Sequence, residues 1–168
     1  SVAYDIVIPS QKRLKQRTTA AGVSGNAMRN KGILMHEILS LIYTVQDVDK
    51  VVQQFVREGK LMKRQACNIA QELTSLITTP EVQHWFSTDV QVLNETDIII
   101  SDTSVSRPDR IVIDGDRVVV IDYKFGNIEK KSYCTQVSRY MNYLRLMGYE
   151  HVDGYIWYVT KSKLLPVD

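Results

Sequence analysis

Asp109, Asp122 and Lys124 lie in the stretch RPDRIVIDGDRVVVIDYKFG, residues 107–126, on the two sides of an Asp114-Gly115 pair. Apolar runs flanking Asp-Gly are a strong hairpin signal, so the two acids belong to facing strands. A two-residue loop pairs Ile113 with Asp116, and Asp109 then faces Val120 and lies diagonal to Asp122. A four-residue loop sets Asp109 directly opposite Asp122. Either even loop leaves both carboxylates on one face, Lys124 joins them from two residues further on, and Tyr123 points the other way. Burying such charges costs several kcal/mol unless each is paired or holds a metal. Two carboxylates and the backbone carbonyl of Tyr123 are hard oxygen donors that suit Mg²⁺ or Mn²⁺. An ammonium beside them could orient an attacking water and stabilise charge developing on a phosphate. The hairpin alone fits equally well a surface ion pair between Asp122 and Lys124, with Asp109 capping a turn.

The elements that must position these groups follow from periodicity. With 168 residues, 44% hydrophobic and 24% charged, the chain has the makeup of a single domain, 1–168, with a proper core. Leu34, Ile38, Leu41, Ile42 and Val45 recur at three and four and predict a helix over 31–44. Asp47 or Asp49 could cap a second helix with Val48, Val51, Val52, Phe55 and Val56 inward, ended by Gly59. A third is expected over 62–77, stopped before Pro80, with Ala66, Ile69, Ala70, Leu73 and Leu76 inward, and a further short turn over 81–86. Residues 90–100 read as strand broken at Asn94-Glu95-Thr96. After the hairpin a helix is expected over 129–147, with Val137, Met141 and Leu144 buried and Gln136 and Tyr140 one turn apart on one face. Residues 152–159 predict the last strand. The order is α+β: helices, three strands, helix, strand.

Composition narrows the partners. Residues 1–30 carry Lys12, Arg13, Lys15, Arg17 and Arg29 against the single acid Asp5. Such a weakly structured basic arm reads more readily as a solvated terminus than as a phosphate-binding one. Cys67 and Cys134 have no CxxC spacing, so no cysteine zinc or iron-sulfur site is expected and buried free thiols are. Apolar runs are too short to span a membrane, the N-terminus has no apolar signal segment, and a soluble cytoplasmic protein is expected. The start at Ser1 hints at a fragment of something longer.

Arg107-Pro108-Asp109, then Asp122-Tyr123-Lys124, then a helix with Gln136 and Tyr140, resembles the signature of the PD-(D/E)XK nuclease superfamily. With Gly32-Ile33-Leu34-Met35-His36 ahead of them, the order is most similar to the RecB-type nuclease domain, the C-terminal module of AddA and RecB helicase-nucleases. The likeness covers about 32–158. It implies a restriction-endonuclease-like core with 46–89 as a helical insertion after the first core helix. It also implies Mg²⁺ (or Mn²⁺) held by His36, Asp109, Asp122 and the Tyr123 carbonyl, Lys124 as catalytic lysine, and Gln136 and Tyr140 bracing the site and meeting DNA. Gly32, one turn before His36, would allow close approach. Glu95 falls where relatives often carry a glutamate, though its neighbours match poorly, while His84 and His151 match no motif and are expected at the surface or in packing.

The implied function is a divalent-metal-dependent deoxyribonuclease, the exonuclease module of a bacterial helicase-nuclease in double-strand-break repair. Its partners would be DNA, the helicase domain of the same parent chain and a second helicase-nuclease subunit. No GxxxxGK[ST] sequence occurs, so the ATP motor is not in these residues. The cysteine-cluster branch of the family, which needs four cysteines, is excluded. The competing readings are a catalytically silent nucleic-acid-binding module with the same fold and a ligand-free interaction domain.

Overall fold

The hairpin forms, and helices cover both of its faces. The computed structural model describes residues 5–7, 25–101, 104–126 and 128–168. In chain order the elements are β1 (Asp5–Val7), α1 (Gly25–Leu39), α2 (Val48–Arg57), α3 (Lys63–Ile77), β2 (Gln91–Asn94), β3 (Asp97–Ser101), β4 (Ser104–Ser106), β5 (Arg110–Asp114), β6 (Arg117–Lys124), α4 (Lys131–Leu146), β7 (His151–Tyr158) and β8 (Lys163–Val167). A five-stranded mixed sheet runs β2-β5-β6-β7-β8, and β1-β3-β4 forms a second, three-stranded sheet. The architecture is α+β.

β6 lies between antiparallel β5 and parallel β7, with α4 as the crossover that a parallel pair requires. Side chains alternate along β6, and both faces are covered. Val119, Ile121 and Tyr123 join the core under α1, α2 and α3, whereas Val118 and Val120 join the core under α4. Burial on both sides is why this strand reads as a continuous apolar run. Gly154 lets α4 sit directly on β7, since a Cβ there would come within 2.3 Å of the Met141 sulfur.

The helices differ from expectation mainly at their ends. α1 stops at Leu39, although Ile42 continues its apolar period. The carbonyls of Ile42 and Tyr43 are taken by the guanidinium of Arg110, and Asn94 also donates to Ile42, so the chain leaves the helix to meet β5. Asp47 does not cap α2 with its side chain. Its carboxylate accepts the backbone N–H groups of Tyr43 and Thr44 and closes the turn before that helix. Gly59, at φ +69°, ends α2 as expected. α3 buries Ala66, Ile69, Leu73 and Ile77, while Ala70 and Leu76 are half-buried at its flank. The short turn over 83–86 puts Trp85 and Phe86 into the core, so residues 46–89 pack against the sheet.

Three expectations are corrected. The last strand is β8, pairing antiparallel with β7 along the sheet margin. Pro166 obscures it in sequence, because proline is tolerated mainly on edge strands. β3 does not continue β2 in the main sheet: the chain turns at Glu95 and pairs with β1 and β4, so Asp5–Val7 of the expected arm is strand and Gly25 already begins α1. Lys12, Arg13, Lys15 and Arg17 lie outside the described residues. Cys67 is exposed and Cys134 half-buried, so neither is the fully buried thiol expected. Among the described residues no helix is long and apolar enough to cross a membrane.

Candidate metal centre and active site

The register of the β5–β6 hairpin decides where the charges meet. The pairs run Arg110↔Ile121, Ile111↔Val120 and Val112↔Val119 up to Asp114↔Arg117, so the loop is Gly115-Asp116 and Ile113 pairs with Val118, not Asp116. Gly115 takes the positive φ, +62°, that this tight turn needs. The loop is two residues long and even. Continuing the pairing one step past Arg110 sets Asp109 across from Asp122, the relation expected of the longer even loop. The Asp109 carboxylate accepts the Tyr123 N–H at 2.6 Å, which ties the two strand ends together. In an antiparallel ladder one residue's N–H and C=O face the same neighbour, so the Tyr123 carbonyl lies on the Asp109 side.

His36 approaches from α1. Its Nε2 stands 3.1 Å from Asp109 and its Nδ1 3.8 Å from Glu95. The ring is wedged edge-on against Tyr123 and Phe125, with centroids 6.0 and 6.2 Å away. Gly32 permits this, because a Cβ there would come within 2.9 Å of the Phe125 Cβ. Glu95 is carried into the site by the turn between β2 and β3. Its backbone sits at φ +47°, uncommon for a residue with a side chain, and its N–H donates to the Asp109 carbonyl at 3.0 Å. His36, Glu95 and Asp109 can each present one ligand atom with all of these atoms within 4.8 Å of one another.

Asp122 is buried, 3% exposed, and is held against Lys124, with Nζ 2.5 Å from its Oδ2. The contact is an ion pair without good hydrogen-bond alignment. Lys124 also lies over the Tyr133 ring, 4.5 Å from the centroid. On α4, one turn apart as expected, Gln136 donates to the Tyr140 hydroxyl at 2.6 Å. That hydroxyl in turn donates to the Arg107 carbonyl at 3.3 Å, bracing the segment that leads to Asp109. Between this segment and α4 is a groove of about 440 Å³ lined by Arg107, Ser132, Thr135, Gln136, Arg139 and Tyr140.

Three carboxylates crowd one imidazole and one ammonium. Burial, then the charge of Asp109, pushes the Asp122 carboxyl up to about 6. Burial and Asp109 likewise raise Glu95. The hydrogen bond to Asp109 raises His36. Carboxylates this reluctant to ionise are short of positive charge, and oxygen donors with one imidazole match a divalent cation of the Mg²⁺ or Mn²⁺ kind. The residues therefore fit such an ion: His36, Glu95 and Asp109 converge directly, and Asp122 lies beside them in the grip of Lys124.

Two residues were poorly read from sequence. Glu95 depends on a strand leaving one sheet for another, which no local pattern announces. Arg110, with no exposed surface, donates to the Ile42, Tyr43 and Trp85 carbonyls and to Asn94, and its guanidinium stacks 3.9 Å from the centroid of Phe86. Its only signal is a cation opening an otherwise apolar strand. His84 and His151 are exposed and pair with Asp114 and Asp116, away from the site, as expected of surface residues. No protein-family model and no curated protein matches this chain, so the chemistry of the site rests on its own geometry.

Proposed function

We propose that this chain is a divalent-metal-dependent deoxyribonuclease with a PD-(D/E)XK, restriction-endonuclease-like core. In this reading it is the exonuclease module of an AddA-like helicase-nuclease acting on DNA ends in double-strand-break repair. The observation that carries the reading is Asp109 set across from Asp122 at one hairpin end, with Lys124 on the same face and His36 and Glu95 closing round Asp109. A structural ion pair needs one acid and one base, and it gives no reason to gather three carboxylates whose charges oppose one another.

His36, Glu95, Asp109 and Asp122 would hold the ion, with the Tyr123 carbonyl on the same side. The chemistry such an ion supplies when bound is neutralisation of the scissile phosphate and a more acidic water. Lys124 keeps a fixed ammonium at the end of β6, where it can orient the attacking water and offset negative charge on the phosphorane-like transition state. Asp122 holds that ammonium in place. Gln136 and Tyr140 fix the Arg107 carbonyl and so the entry of Asp109 into the site.

Digestion of end-labelled linear DNA tests this. Wild-type protein should cleave with Mg²⁺ or Mn²⁺ and stop on chelation. DNA binding with no cleavage under any divalent ion would instead identify the silent nucleic-acid-binding module.

A further inference from the structure

The groove beside the site has a composition of its own. Ser132, Thr135, Gln136, Arg139 and Tyr140 fall at spacings of three, four and seven and so form one stripe along α4, facing Arg107. Among the described residues no carboxylate lines it. Arg107 is pinned by a 2.6 Å bond to Asp97, whereas Arg139 is exposed and has no partner among the described residues. The Ser106, Ser132 and Thr135 hydroxyls and the Gln136 amide complete the lining with groups that can donate to oxygen. Tyr140 is buried, with its hydroxyl shared between Gln136 and Arg107, so it offers no free ring face on which a base could stack. The groove also adjoins the acidic centre, because the Tyr140 hydroxyl bonds the Arg107 carbonyl, two residues before Asp109.

We infer that this groove seats the sugar-phosphate backbone of the nucleic acid strand next to the phosphate at the metal centre, gripped by Arg139 and Arg107 without reading its bases. The inference rests on the nuclease reading for the identity of the neighbouring site. Its own basis is the donor-rich lining, free of acids among the described residues. Guanidinium forks match phosphate oxygens, and hydroxyl and amide donors complete a backbone grip that carries no sequence information. A volume of about 440 Å³ takes a piece of ligand on the scale of one nucleotide. Strand contacts of this kind hold register on the substrate while the acids act one phosphate away.

The experiment measures binding of labelled oligonucleotides of several sequences in chelator, so that no cleavage occurs, across a range of salt. Arg139→Gln should weaken binding about tenfold for every sequence, and should flatten the log-log salt dependence by about one unit. Arg139→Lys should restore part of the affinity. Ser132→Glu is the second variant. It places a carboxylate in the first turn of α4, where the helix dipole favours it, so weaker binding by a variant of undiminished thermal stability reports on the groove and not on folding. Unchanged affinity and slope in both variants would overturn the groove assignment, as would a loss confined to one sequence. The two readings fail separately. Wild-type cleavage with groove variants that bind normally removes only the groove, whereas groove-dependent binding without any cleavage removes only the nuclease.

Discussion

Arg110 and Asp122 sit on adjoining strands of one hairpin, 0% and 3% exposed, and each brings a charge into the interior, yet the protein treats them in opposite ways. Arg110 meets neutral oxygens at both terminal nitrogens, and its Nε alone lacks a hydrogen-bond partner among the described residues. Three backbone carbonyls, the Asn94 side chain and the face of Phe86 surround its guanidinium, and its helical neighbours are built to deliver those groups. Asp122 meets charge. One ammonium pairs with it while Asp109 repels it, and its carboxyl is pushed up to about 6. A buried charge that the fold satisfies serves the fold. A buried charge left short of partners is held in readiness for a ligand.

That contrast breaks most visibly at Arg110. Replacing it by leucine strands the Ile42, Tyr43 and Trp85 carbonyls where α1, α2 and the Trp85 turn meet β5, and should lower stability by about 3–5 kcal/mol. Thermal and denaturant unfolding check this. A variant as stable as wild type would mean that the helical layer is held by its apolar core alone.

At Asp122 and Lys124 the large effect should fall on activity. Asp122→Ala and Lys124→Ala should each lower cleavage by about 10²–10⁴-fold. Calorimetric titration with Mg²⁺ separates their roles: the aspartate variant should lose affinity, while the lysine variant should keep it because an ammonium is no ligand. Equal loss of Mg²⁺ in both would reassign Lys124 to shaping the cation site.

The two regions were unequally legible. The Asp-Gly loop, the alternation along β5 and β6, and the parity argument are local, so Asp109, Asp122 and Lys124 could be placed on one face from spacing alone. The same holds for the Gln136 and Tyr140 stripe, set by the period of α4. What escaped depends on distant partners. α1 ends at Leu39, and the Ile42 carbonyl just beyond it is taken by Arg110, 68 positions later. Glu95 arrives by a sheet exchange between β2 and β3. β8 is short, contains Pro166 and, among the described residues, pairs with β7 alone.

A smaller effect follows from the frustration of Asp122. In the unfolded chain its carboxyl titrates near 3.8, and in the fold near 6. Between those values the folded state holds the proton more tightly, so stability falls as pH rises through the window and the penalty is complete above it. Asp122→Asn removes the charge. The metal-free variant should be more stable than wild type by about 1–3 kcal/mol at pH 8, with the advantage gone below about pH 4. Saturating Mg²⁺ should stabilise wild type and leave the variant unmoved. A variant less stable than wild type at pH 8 would show that the Lys124 ion pair outweighs burial.

The smallest effect belongs to Glu95, and it tests whether the site has three acidic ligands or two. Its side chain is about one-third exposed, so each interaction is partly screened by water. Its backbone is nevertheless held at φ +47°, a conformation that persists when the surroundings enforce it, here through the bond from its N–H to the Asp109 carbonyl. A strained turn that delivers a carboxylate to within 3.8 Å of His36 argues for a ligand at the rim of the site. Glu95→Gln keeps the turn and the size of the side chain while removing the charge. Mg²⁺ affinity should fall by about tenfold or less, far less than for Asp122→Ala, and the His36 titration followed by NMR should move down because one of the charges raising it is gone. If Mg²⁺ affinity stayed within experimental error while His36 still shifted, Glu95 would act on the imidazole alone, and the cation would be left to His36, Asp109, Asp122 and the Tyr123 carbonyl.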